Sequence, residues 1–264
     1  MNTDTIATFW RTKIIRPNHC VSWEMGPLRM WLQRWGSEWR LAFEHREESD
    51  DVYFFSPAAE PPPELQWSRW ALKKEVAAAE IVPVMQDRPL VIRPETPLNI
   101  PPGNDVIFFV SVPVWLKVFI GTSRERLLAE VPTMILSNTW FGEPTEGELC
   151  YALRTGASRD LDGVKKGRYR AVCPVLIKNH SPDELDFQKI CLRIQHVHVY
   201  EGENRLWTNQ VTVSYLGKNN FSAIEFKPAA PDYERILRQV GDAREPIHIS
   251  FIKKSFGNLM SLQF

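Results

Sequence analysis

The stretch Leu28-Arg29-Met30-Trp31-Leu32-Gln33-Arg34-Trp35-Gly36-Ser37-Glu38-Trp39-Arg40-Leu41-Ala42-Phe43-Glu44 decides the fold class. Gly36-Ser37 is a two-residue turn with glycine first, as a type II′ hairpin prefers. Closing the chain there sets Trp35 against Glu38, Arg34 against Trp39, Leu32 against Leu41, Met30 against Phe43 and Arg29 against Glu44. One face then gathers Leu28, Met30, Leu32, Trp39, Leu41 and Phe43. The other carries Arg29, Trp31, Gln33, Arg40 and Glu44, with Arg29 and Glu44 opposed as an ion pair. Turn chemistry and side-chain period agree, so this segment is a β-hairpin.

The same reading extends outward. Residues 45–66 combine a charge run from His45 to Asp51 with a proline-rich segment from Pro57 to Pro63, predicting a solvated loop around a short strand at Val52–Phe55. Leu65–Glu80 is read as strand in this β context, although Ala77-Ala78-Ala79 favours helix. Ile81–Ile92 reads as strand, turn, strand, broken at Gln86-Asp87-Arg88-Pro89. Val106–Ile120 is apolar on both faces, which marks a covered strand, and Pro113 inside it predicts a bulge, an edge segment or a switch between sheets. Tyr169–Lys178 and Leu185–Tyr200 make further strands. In the second, the apolar alternation slips by one residue, predicting a bulge at Gln195–His196. Leu206–Tyr215, Phe221–Phe226 and Ile247–Ile252 follow as strands. Pro231–Val240 reads as a helix, with Asp232 as cap and Ile236, Leu237 and Val240 as an apolar stripe. The sum is an all-β fold, a mostly antiparallel β-sandwich with one short C-terminal helix. An N-terminal β-meander (1–88) packs on a β-sandwich (89–264), with one continuous domain over 1–264 as the alternative.

Composition narrows the function classes. The 264 residues include 32 basic and 32 acidic side chains and carry zero formal net charge. That argues against a general binder of nucleic acid or anionic membrane, which needs a concentrated positive surface. No apolar run reaches the roughly 18–20 residues that cross a bilayer as a helix. The opening residues also lack the basic-then-apolar layout of a signal peptide. The expected location is cytoplasmic, peripheral to a membrane protein. Cys20, Cys150, Cys173 and Cys191 show no Cys-x-x-Cys spacing and read as small buried hydrophobes. Nothing calls for a cofactor.

Ser137–Tyr151 is the most unusual stretch for function: Ser-Asn-Thr-Trp-Phe-Gly-Glu-Pro-Thr-Glu-Gly-Glu-Leu-Cys-Tyr. Asn138 and Gly142 suit turn conformations with positive φ, and Pro144 stiffens the chain behind Glu143. Such an ordered loop is either a corner whose Trp140 plugs a core or a recognition loop presenting carboxylates on a rigid frame. In the second reading Trp140, Phe141, Glu143, Glu146 and Glu148 form a partner-binding surface. The rival site is His196-Val197-His198. Two histidines at i and i+2 of a strand point the same way, as in a cupin-like metal enzyme. The glycine expected before that pair and the later Pro-x-Gly histidine motif are both missing, and His248 is a third ligand only if the fold brings it there. Lys165, Lys166, Arg168 and Arg170 read as a solvated hairpin tip. The chain has no phosphate loop, dinucleotide fingerprint or nucleophile elbow, and it offers no catalytic residues.

Several segments together resemble the prokaryotic domain of unknown function numbered 432 (DUF432). They are Asn138–Pro144 with Gly147–Tyr151, Asp87–Glu95, Leu98-x-Ile100-Pro101-Pro102-Gly103 leading into Val112–Trp115, and Gly26-Pro27-Leu28 with Glu38-Trp39-Arg40. The match covers much of residues 20–155 and is weaker beyond. The resemblance implies no established activity and no catalytic residues. It does associate the chain with small-conductance mechanosensitive channels. The function expected from the sequence is therefore a non-catalytic binding or regulatory protein whose partner is a protein, with a membrane channel as one candidate.

Overall fold

The computed structural model describes residues 9–47, 52–217, 222–245, 250–253 and 255–257. Residues 48–51 of the charge run, the turn residues 218–221 and His248 lie outside them. The fold is all-β, built from several mostly antiparallel sheets. The chain divides into two compact units. The first takes residues 1–84, 113–135 and 167–169; the second takes 85–112, 136–166 and 170–264.

The first unit is organised around the N-terminal hairpin. Leu28–Trp35 and Glu38–His45 pair in the register read from the sequence, residue for residue from Leu28 opposite His45 to Trp35 opposite Glu38. Gly36 closes the turn at φ 59°, and Ser37 does not share a positive φ, as a type II′ turn requires. His19–Met25 flanks one side of the hairpin and Ser68–Ala71 the other, with Tyr53–Ser56 completing a five-stranded sheet. Trp39 is buried, as its apolar face demands. Trp31, on the face read as polar, is buried too, and the Arg29 guanidinium sits 4.7 Å from its ring centroid. Both faces of this hairpin are covered along its middle, while Trp35 beside the turn and Phe43 on the apolar face stay half exposed. A four-stranded sheet of Lys13–Ile14, Ala78–Val84, Trp115–Ile120 and Arg126–Pro132 completes the unit.

In the second unit, Arg170–Asn179 is the spine of a nine-stranded sheet. It is flanked in parallel by Leu206–Thr208 at one end and by Val211–Tyr215 at the other. Asp105–Pro113 belongs to this sheet, while Trp115–Ile120 belongs to the four-stranded sheet of the first unit. Pro113 therefore marks a switch between sheets, as its missing N–H suggested. A five-stranded sheet runs in the order Ser137–Phe141, Glu148–Ala152, Leu90–Ile92, Lys189–Leu192 and Phe256–Gly257.

Three sequence expectations are corrected here. Pro231–Val240 is not a helix: bends at Asp232–Glu234 lead into the strand Ile236–Gly241, which pairs with Val199–Gly202. The competing force is aromatic packing. The Tyr233 ring stacks on Trp207 at 5.6 Å and meets Phe109 edge-on at 4.9 Å, and Ile236 packs on the same cluster. Arg238 pairs across the strands with Glu201 at 2.8 Å, using the two-residue period of a strand.

Leu185–Tyr200 is not one bulged strand. Leu185–Phe187, Lys189–Leu192 and Val199–Gly202 join three different sheets, with a 3-10 turn at Ile194–His196 before the last. The slip in alternation marked a change of sheet. The basic cluster does not stay together at a solvated tip: Lys166 is exposed, Lys165 and Arg168 are half-buried, and Arg170 opens the strand Arg170–Asn179. Arg170 is buried, its Nε donating to Ser111 Oγ at 2.8 Å and one Nη to Thr155 Oγ1 at 3.1 Å.

Candidate functional site

The Trp/Gly/Glu stretch forms a second hairpin. Ser137–Phe141 pairs with Glu148–Ala152, setting Asn138 against Tyr151, Thr139 against Cys150, Trp140 against Leu149 and Phe141 against Glu148. Alternation then separates two faces. Asn138, Trp140, Leu149 and Tyr151 share one; Thr139, Phe141, Glu148 and Cys150 share the other.

The turn between them is tightly built. The N–H groups of Glu146 and Gly147 donate to the Glu143 carbonyl at 3.2 and 2.7 Å. Trp140 Nε1 donates to that same carbonyl at 3.0 Å, so the indole lies back over its own turn. Both glycines are required. Gly142 holds φ 108°, and a Cβ on Gly147 would come within 2.2 Å of Trp140 Nε1. Glu143 and Glu146 project from the exposed turn.

The inner face is fastened by a different set of residues. Phe141 is 3% exposed and packs with Cys150, Cys191 and Val91. Lys189 Nζ lies 5.8 Å from the Phe141 ring centroid. Glu148 turns inward and forms an ion pair with Arg193, whose side chain is 3% exposed against 28% for Glu148. Arg193 also donates to the Cys191 carbonyl at 3.0 Å. The Cys150 and Cys191 sulfurs lie 3.8 Å apart, both buried. The hydrogen bond to Cys150, then burial, pushes the Cys191 thiol well above its ordinary range. A thiol held protonated in this way is a poor nucleophile, and the two sulfurs pack as part of the frame behind the hairpin.

The outer face is different in kind. Trp140 is 48% exposed and Leu149, directly opposite, is 43% exposed. Trp140 therefore plugs no core; its neighbour Phe141 does. At the base of the hairpin the Tyr151 hydroxyl donates to Asp87 at 2.9 Å, and Arg88 lies 5.4 Å from the Tyr151 ring centroid. Burial, then the Asp87 hydrogen bond, raises the Tyr151 phenol above its usual value. Arg88 also donates to Asn138 Oδ1 at 3.2 Å.

The histidine pair is placed elsewhere. His196 Nε2 lies 3.4 Å from the Glu245 carboxylate, and its ring packs at 5.3 Å on Phe226. His198 Nδ1 meets the Gln239 amide at 3.0 Å and accepts from the Ala243 N–H at 3.1 Å. The 3-10 turn breaks the strand that was to align the two rings. Among the described residues no group of three or more His, Cys, Asp or Glu side chains could hold a metal ion.

Of the five residues expected from the sequence to form a partner surface, the hairpin presents Trp140, Glu143 and Glu146 outward and turns Phe141 and Glu148 inward. Sequence reading missed Arg193, Cys191 and Leu149. Arg193 left a signal, since a cation inside the apolar run Ile190–Ile194 needs a buried anion. Nothing local linked it to Glu148, 45 residues away.

No helix among the described residues is long and apolar enough to cross a membrane. No curated protein and no solved structure matches the chain. A family model does match, over residues 9–261 and therefore both units, and the chain accordingly belongs to the family described as protein of unknown function (DUF432).

Proposed function

We propose that this protein is a non-catalytic binding module that engages a protein partner through the outer face and tip of the 137–152 hairpin. One observation carries the reading. Trp140 and Leu149 oppose each other, each nearly half exposed, on a hairpin whose other face is fixed by Phe141, Cys150 and the Glu148–Arg193 pair. Rigid, exposed aromatic and aliphatic side chains are characteristic anchors of protein interfaces, because they lose little freedom on binding. Glu143 and Glu146 beside them add negative charge, which selects a partner with basic residues. A membrane channel of the mechanosensitive class, suggested by the sequence resemblance, is the first partner to test. The protein would then work at the cytoplasmic face of a membrane without inserting.

The experiment is affinity capture from native cells after mild cross-linking, with membranes solubilised, comparing the natural chain with Glu143→Ala/Glu146→Ala. Both side chains are exposed, so the variant keeps its thermal transition. The expected result is one enriched partner that the variant no longer retains. Unchanged capture by the variant contradicts the proposal.

A further inference from the structure

Resting on that reading, we propose how the partner docks: an extended basic segment of it adds as a strand along Ser137–Phe141. This strand ends its sheet and, among the described residues, has Glu148–Ala152 as its one neighbour. It is five residues long, in unbroken register, and contains no charge and no proline. Outer strands usually carry such features because a bare edge recruits other chains.

Most other outer strands among the described residues do carry them. Arg126–Pro132 has charges, a register shift and a terminal proline. Ile236–Gly241 has Arg238 and two register shifts. Ser68–Ala71 has Arg69, bound to Glu38 at 2.7 Å. Tyr53–Ser56 is uncharged but runs straight into Pro57.

Charge identifies the occupant. Residues 137–153 contain three glutamates and no lysine or arginine. Glu148 is paired with Arg193 on the inner face; Glu143 and Glu146 stand at the tip end of the strand, and the Arg88 cation lies at its other end, beside Asn138. A segment pairing with Ser137–Phe141 passes that tip and is favoured by Lys or Arg there, while a small or aliphatic residue rests on the exposed Trp140 ring. Main-chain hydrogen bonds supply affinity in this mode, and the alternate side chains supply selectivity.

The test uses the full chain and three synthetic peptides of about 12 residues, long enough to overlap the strand and its tip. One alternates Val and Thr and ends in two Lys. The second is the same peptide with alternate residues N-methylated, which removes one edge of hydrogen bonds. The third has Glu for Lys. Hydrogen exchange and fluorescence anisotropy are read together, with sedimentation of the protein alone. The Lys peptide is expected to bind and slow exchange of the 137–141 amides. The two controls are expected to bind about tenfold or more weakly, reflecting lost ladder bonds and reversed charge. Equal binding of the N-methylated peptide overturns strand addition while leaving the binding module standing. Binding by none of the peptides also overturns it. Protection of the same amides in a dimer without peptide makes the occupant a second copy of this chain and overturns it as well. Loss of capture by Glu143→Ala/Glu146→Ala is read independently, so failure of strand addition and failure of the binding reading remain distinguishable.

Discussion

The hairpins at Leu28–His45 and Ser137–Ala152 are built by the same rules and put to different uses. Each joins two strands around a glycine-bearing turn, and each places large aromatics on its faces. The first has strands on both flanks and buries a tryptophan on each face, Trp31 and Trp39. The second has a strand on one flank, buries Phe141 and leaves Trp140 half exposed. Within the first hairpin most apolar surface is spent on folding, and only Trp35 beside the turn and Phe43 near the far end stay half exposed. Within the second, surface remains over on a frame already secured from behind, which is what an interface requires.

The largest effect separating the two lies in the first hairpin. Trp39→Ala removes a fully buried indole, and chemical denaturation is expected to show a loss of about 3–5 kcal/mol. A loss below about 1 kcal/mol would mean that this hairpin is not the core element described here.

The rear fastening of the second hairpin comes next. Glu148→Leu strands the buried Arg193 guanidinium, and the partly exposed carboxylate places the expected loss near 2 kcal/mol, below that of a fully buried pair. A double-mutant cycle with Arg193→Met measures the pair directly, and near-additive effects would dismiss it.

An effect of similar size, but reached only at high pH, comes from the thiols. Burial pushes Cys173 up to about 12, so its neutral form is favoured in the fold. Its contribution is fully present below the unfolded thiol value, near 8.5, and is lost as pH rises from there towards about 12. By linkage this amounts to about 2 kcal/mol at pH 10. Denaturation midpoints are expected to fall between about pH 8.5 and 10.5, less steeply in Cys173→Ala. Identical slopes in the two proteins would refute this.

The two hairpins also differ in how much of each was legible in the sequence. At Leu28–Glu44, turn type and alternation are local and agree, so the register could be written down residue by residue; Arg29 lies opposite Glu44 in that register but forms its ion pair with Glu24 of the flanking strand, at 2.9 Å. The interruption at Pro113 was legible for a similar reason, since one residue lacks one donor, and a change of sheet was one of the three outcomes that this allowed. At Ser137–Tyr151 the unusual composition marked the site, but not which side chains face outward. That depends on Arg193 and Cys191, which approach through a sheet order invisible to local pattern. The same limit applies at Pro231–Val240. A cap residue and a three-to-four spacing describe a helix, and stacking of Tyr233 on Trp207 makes the segment bends and strand instead.

The most direct measurement pairs stability with capture in one variant, Trp140→Ala/Leu149→Ala. If these side chains serve binding, the denaturation midpoint stays within about 1 kcal/mol of the natural protein, as exposed substitutions do, while partner capture is lost. A destabilisation as large as that of Trp39→Ala, or capture at the natural level, would show that the second hairpin is a structural corner after all.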